Sequence, residues 1–286
     1  MKLAILASAA CLMASPALAN NMCTGSEAGN YNFIGGRLAH TVKAASGADF
    51  KVEQSAGSLD NLELLASGKC DVGFVQADAL YFWKKEKGAI NVDLVAPLYE
   101  EYVHLLCNKD AGVRRITSLG ASTVVAVGPD GSGSNVTWRV LKSVDQKRYG
   151  AVPTSPMSGI RAISKTAEGT DIQCVLFTAG LKTPLINKDA DKFASKLALI
   201  PTDDGDFDNL RDDKKRPLYS YGEIPGGTYK SLQTGMFTAV KAAKVKALLI
   251  AREEWIDKHP KLLDSVINNA AEVLKQPDIV KRLSGD

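Results

Sequence analysis

Strand, small-polar turn and helix alternate along this chain, and that order limits the folds open to it. Asn30 to Ala45 repeats Ile34, Leu38 and Val42 on one helical face. Phe50-Lys51-Val52 is a short strand. Ser58 to Ser67 predicts a second helix, with Leu59, Leu62 and Leu65 on one face, Ser58 as N-cap and Gly68 as terminator. "CDVGFVQ" then predicts a buried strand ending in Gln76-Ala77-Asp78. After a strand at Tyr102 to Asp110 the plan restarts. A strand runs to Gly128, a helix starts near Ser134, "GAVPTSP" is a strand, Met157 to Ala167 a helix and "DIQCVLFTAG" a strand. Such alternation implies parallel strands joined by right-handed crossovers. The two half-repeats predict two α/β lobes joined near Cys107. "GEIPGGTY" (Gly222 to Tyr229) reads as a loop, and Glu253 to Lys275 as two amphipathic helices broken at Pro260.

The first nineteen residues read as a segment outside that fold. Lys2 precedes a short apolar stretch to Met13, Pro16 breaks it, and Ala17-Leu18-Ala19 has the A-x-A form of a signal-peptide cleavage site. The expected product is an exported, periplasmic chain of about 267 residues, enough for one large domain or two ordinary ones. Its formal charge falls from +3 to +2 on loss of Lys2, which gives no nucleic-acid signature. Cleavage also removes Cys11 and leaves Cys23, Cys70, Cys107 and Cys174. In an oxidising compartment these suggest two disulfides, with three pairings open.

Ligands of open parallel sheets gather at the carboxyl ends of strands, where helix N-termini also point. Three polar, glycine-bearing tips fall there: Thr24 to Tyr31, Ser55 to Asn61 and Gly131 to Thr137. Each alone could be ordinary capping; their repetition predicts a cradle between two lobes. "GPDGSGSN" lacks both the Lys-Ser/Thr of a P-loop and the order of a dinucleotide fingerprint. His40, His104 and His259 lie in separate settings, and no serine elbow or zinc-protease motif occurs, so no catalytic residue is assigned. "DDGDFDN" departs from a calcium loop at Asn209 and Lys215 and is expected to be a solvated turn and helix cap. No metal or cofactor is expected.

Four stretches, "SAGSLDNLELLASGKCDVGFVQAD", "PLYEEYVHLL", "VAVGPDGSGS" and "GEIPGGTY", run in an order that resembles the TAXI-type solute receptors of tripartite ATP-independent periplasmic (TRAP) transporters. The resemblance implies a type II periplasmic binding-protein fold: two α/β lobes, a two-strand hinge and a ligand cleft between them. It implies a receptor that captures a small organic acid or amino acid, glutamate-like, and hands it to an integral membrane permease of TRAP type, and a monomer. Its ligand loops map onto Gly25, Ser26, Asn30 and Tyr31; Ser55, Gly57, Ser58 and Asn61; Gln76 and Asp78; Tyr99; Gly131, Ser132, Gly133 and Ser134; Thr178 and Gly180; and Tyr229. The first loop departs from relatives, which carry a Gly-Gly run where this chain has "CTGSEAGNYNF" with Glu27. The lobes are expected at 20–105 plus about 225–286, and at 106–224. That fold also implies the pairs Cys23–Cys70 and Cys107–Cys174. The alternatives are a sensor or ABC-type solute-binding module, and a secreted α/β hydrolase.

Overall fold

The computed structural model describes residues 20–27, 29–233 and 238–284. The expected signal peptide, 1–19, lies outside the described residues. The first half alternates as expected: β1 (Asn20–Cys23), α1 (Asn30–Ser46), β2 (Phe50–Glu53), α2 (Ser58–Ala66), β3 (Val72–Gln76) and α3 (Ala77–Lys87). A long strand, β4 (Val92–Asn108), leads to β5 (Val125–Ala126), α4 (Gly133–Val144), α5 (Gln146–Tyr149), β6 (Thr154–Ser155), α6 (Gly159–Glu168) and β7 (Cys174–Ala179). Then follow β8 (Leu197–Ile200), β9 (Tyr219–Ile224), β10 (Val240–Arg252), α7 (Glu253–Lys258), α8 (Pro260–Val273) and α9 (Pro277–Ser284).

The strands lie in the order β2-β1-β3-β10-β4-β7-β5-β6, with β8 on β4 and β9 on β10. Strands β1, β2 and β3 are parallel, and so are β5, β6 and β7. Two long antiparallel strands join these groups. Through Val92 to Tyr102, β4 pairs with β10; through Tyr102 to Cys107 it pairs with β7. Conversely, β10 pairs with β9 through Val240 to Val245 and with β3 through Ala247 to Ala251. Each long strand thus changes partners midway, and the pair forms the two-strand hinge of a type II periplasmic binding-protein fold.

The core follows the helical periodicity. Ile34, Leu38 and Val42 of α1, and Leu62 and Leu65 of α2, are at most 2% exposed, each worth about 1.5–3 kcal/mol of transfer free energy. Both disulfides have the implied pairing: Cys23–Cys70 ties the end of β1 to the approach to β3, and Cys107–Cys174 links directly paired residues of β4 and β7.

Several local expectations need correction. Gly222 to Ile224 belong to β9, not a loop, because their backbone pairs with Val240 to Ala242. Ser58 opens α2 but does not cap it: Gly57 holds the N-cap position, and the Ser58 hydroxyl accepts instead from the Gln76 N–H at 3.1 Å. The acidic turn at Asp203 to Asn209 does cap a short 3-10 helix, with Asp204 accepting from the Asp206 N–H. Asp204 is buried rather than solvated, because Tyr149 donates to it and Arg148 bridges it to Asp206.

Candidate ligand cleft

Three helix N-termini converge on one cavity of about 200 Å³. Gly29 and Asn30 come from the start of α1, Gly57 and Ser58 from α2, and Gly133 and Ser134 from α4. Gly25, Ser26 and Ala56 complete the rim of the first half. The hinge strand β4 contributes Tyr99 and Glu101, β3 ends in Gln76, and the end of β7 brings Thr178 and Ala179, with Thr183 just beyond.

Glycine lets the two halves approach here. Gly57 sits at φ 129, a conformation that side chains rarely adopt, and a Cβ there would lie 3.4 Å from the Gly131 carbonyl oxygen. Next to it, the Leu59 N–H donates to that same carbonyl at 3.2 Å, so α2 and the loop before α4 touch. A Cβ on Gly133 would lie 1.6 Å from Gln76 Oε1, so only glycine admits the Gln76 amide in its present position.

Of the residues carried over by resemblance, Gly25, Ser26, Asn30, Tyr31, Gly57, Ser58, Gln76, Tyr99, Gly133, Ser134 and Thr178 are brought together around the cavity. The others stand behind or away from it. Ser55 braces the turn, donating to the Thr24 carbonyl and accepting from the Gly57 N–H. Asn61 is fully buried and donates to the carbonyls of Thr24 and Phe74, tying α2 to two strand ends. Ser132 is the N-cap of α4, accepting from the Asn135 N–H at 3.3 Å. Gly131 supplies the carbonyl bound by Leu59, and Gly180 leaves space for the Asn30 amide, which would lie 3.0 Å from a Cβ there.

Asp78 is also buried beneath the cavity, where it accepts from Thr137 at 2.7 Å and Tyr219 at 2.6 Å. Burial pushes its carboxyl up to about 6, with the two hydroxyl donors pulling the other way. Tyr229 does not line the cavity. It is 1% exposed, its hydroxyl lies 2.8 Å from His104 Nε2, and it accepts from the Lys182 N–H. Burial lowers the His104 pKa to about 4, so the ring is neutral, with Nδ1 bonded to the Tyr102 carbonyl and Nε2 accepting from Tyr229. Glu27 is exposed and outside the cavity.

Glu101 went unrecognised in the sequence. It is 6% exposed and accepts from Tyr31 at 3.3 Å and from Tyr99 at 3.1 Å. Burial raises its pKa to about 8, opposed by those phenols and reinforced by the charge of Asp78. Its signal was present: two residues from Tyr99 on one strand, it must face the same side. Gln76 is 2% exposed, and its Nε2 has no protein partner among the described residues. No His/Cys/Asp/Glu grouping fit for a metal occurs among the described residues.

Fold and cleft together define the class, a type II periplasmic binding-protein fold. Residues 22–263 match the NMT1-like family, and the chain belongs to it. MatC from Rhodopseudomonas palustris with bound malate is similar, at TM-score 0.57 and 15% identity over 94% of this chain and 89% of that one. Periplasmic binding protein BugD reaches 0.55 at 12% identity, over 93% and 85%. The arginine-, lysine-, histidine-binding protein ArtJ from Geobacillus stearothermophilus reaches 0.51 at 13%, over 94% and 96%. At such identities the likeness is one of fold.

Proposed function

We propose that this protein is a periplasmic solute receptor of TAXI type. It captures a small organic acid or amino acid, glutamate-like in size, between its lobes and delivers it to a TRAP-type membrane permease. The observation that carries the reading is the convergence of three helix N-termini from both halves of the sheet on one small polar cavity. Free N–H groups and the helix dipole favour an anionic group there. In this reading the lobes are 20 to about 102 with about 246 to 284, and the span between. The chain returns within β10, where its partner changes from β9 to β3, rather than at about 225. The solute selects the closed arrangement through contacts that the open one lacks.

Capture rather than catalysis fits the cavity lining, which contains no histidine or cysteine among the described residues; Ser58 and Ser134 accept from the backbone N–H groups of Gln76 and Thr178. The four motif stretches support the TRAP partner, whereas the fold alone suits an ABC permease equally. Thermal melting with a panel of organic acids and amino acids tests the receptor reading, and at least one compound is expected to stabilise the protein. Proteoliposomes holding a TRAP permease test the partner: uptake is expected to require the loaded receptor. A panel that leaves melting unchanged contradicts capture of this solute class.

A further inference from the structure

Glu101 is the one carboxyl side chain lining the cleft among the described residues, and no lysine, arginine or histidine lines it. Each of its oxygens accepts from one phenol, Tyr31 on Oε2 and Tyr99 on Oε1. A carboxylate oxygen can accept further bonds, so the group retains capacity toward the cavity. Other ionisable groups around Glu101 offer no cation: Tyr31 comes from α1, Tyr99 from its own strand, and Asp78 from the start of α3. Arg282 of α9, whose charge reaches Tyr99, is not in the cavity lining; its Nε donates to Asn30 Oδ1 at 2.8 Å and its guanidinium lies over Phe33.

A buried carboxylate without a cation is costly, which is why Glu101 titrates near 8. A solute bearing only anionic groups would leave Glu101 without a cation and disfavour its ionisation further. A solute bearing an ammonium would supply the missing cation and hydrogen-bond donors. The rest of the lining can take an anion: it holds the N-termini of α1, α2 and α4, together with Nε2 of buried Gln76, which has no protein partner among the described residues.

Resting on the receptor reading, we infer that the solute is an α-amino acid bound as a zwitterion, its ammonium on Glu101 and its carboxylate at the helix N-termini and Gln76. Glu101 is therefore the specificity residue that separates amino acids from hydroxy acids of the same skeleton.

Isothermal titration of the mature chain at pH 8 with matched pairs tests this: L-alanine and L-lactate, L-aspartate and L-malate, L-glutamate and L-2-hydroxyglutarate. Within at least one pair the amino acid is expected to bind about 30-fold tighter or more, in line with truncating one member of a buried charge pair. Glu101→Gln should close that gap by weakening the amino acid while leaving the hydroxy acid within about threefold. A hydroxy acid that binds wild-type protein as tightly as its amino acid overturns the inference but leaves the receptor reading standing. So does a Glu101→Gln protein that keeps the gap. If neither member of any pair binds, the receptor reading for this solute class fails, and the inference with it. The comparison on wild-type protein does not depend on how the variant folds.

Discussion

Tyr219 donates to Asp78 at 2.6 Å, joining β9 of one half of the molecule to the start of α3 in the other. Thr137 of α4 binds the same oxygen at 2.7 Å and also accepts from Thr178 at 3.0 Å. All of this lies under the cleft, where Asp78 is fully buried. Tyr219→Phe removes one donor from a buried carboxyl and should cost about 1.5–3 kcal/mol in urea unfolding. Because the bond spans the two halves, the same variant should bind solute more weakly and show a larger radius of gyration in solution scattering. Unchanged stability and affinity would contradict the latch role.

The pH profile follows from three buried groups. Glu101 titrates near 8 instead of 4.5, and Asp78 near 6 instead of 3.8, so the native state holds more protons than the unfolded chain across those intervals. Both contributions make stability fall as pH rises. His104 moves the other way, from 6.5 to about 4, and its contribution rises with pH through that interval. The opposing terms overlap below pH 6.5, leaving Glu101 alone above it. Stability without solute should therefore decline by about 2 kcal/mol from pH 6.5 to 8, at 1.36 kcal/mol per unit. Glu101→Gln should flatten that decline in chemical denaturation series.

Gly133→Ala and Gly36→Ala form a matched pair of helix substitutions. At Gly133 the added methyl meets the Gln76 amide, which must swing away, so solute affinity should fall while stability changes little. Gly36 lies inside α1 with nothing within 4 Å of a new Cβ, so Ala should stabilise by about 0.5–1 kcal/mol without touching affinity. Calorimetric titration and thermal melting of both variants separate the two effects.

The disulfides close spans of 47 and 67 residues. On the chain-entropy account each contributes about 4 kcal/mol by restricting the unfolded chain. Replacing Cys107 and Cys174 together by Ala should lower the urea midpoint strongly. Reduction of the wild type should do the same without changing solute specificity, since neither pair lines the cleft.

Much of this architecture was legible because strong periodicity and glycine punctuation coincide. The face of α1 built on Ile34, Leu38 and Val42, and Gly68 at φ 73 just after α2, show the agreement. Strand β10 was not anticipated. "VKAAKVKALLIAR" is rich in Ala, Lys and Leu, which favour helix, and its second half is buried on both faces and loses the alternation of a surface strand. The first ten residues of β4 were missed as well, since Pro97 and the Glu100-Glu101 pair resemble a solvated turn. That same pair hid Glu101. Tyr229 erred in the opposite direction: the resemblance put it in the ligand set, but its partner His104 lies 125 residues earlier, and only the fold brings them together.

The central claim is that the cleft holds a small solute in the native protein. Mass spectrometry of protein taken from its export compartment, measured intact and then after denaturation, tests it most directly. One small molecule carrying a carboxylate and an amine should appear per chain. Added back at about 100 times its dissociation constant, it should stabilise the protein by about 2.7 kcal/mol, and much less after Gly133→Ala. A protein that releases no small molecule, and whose melting no acid or amino acid shifts, would contradict the claim.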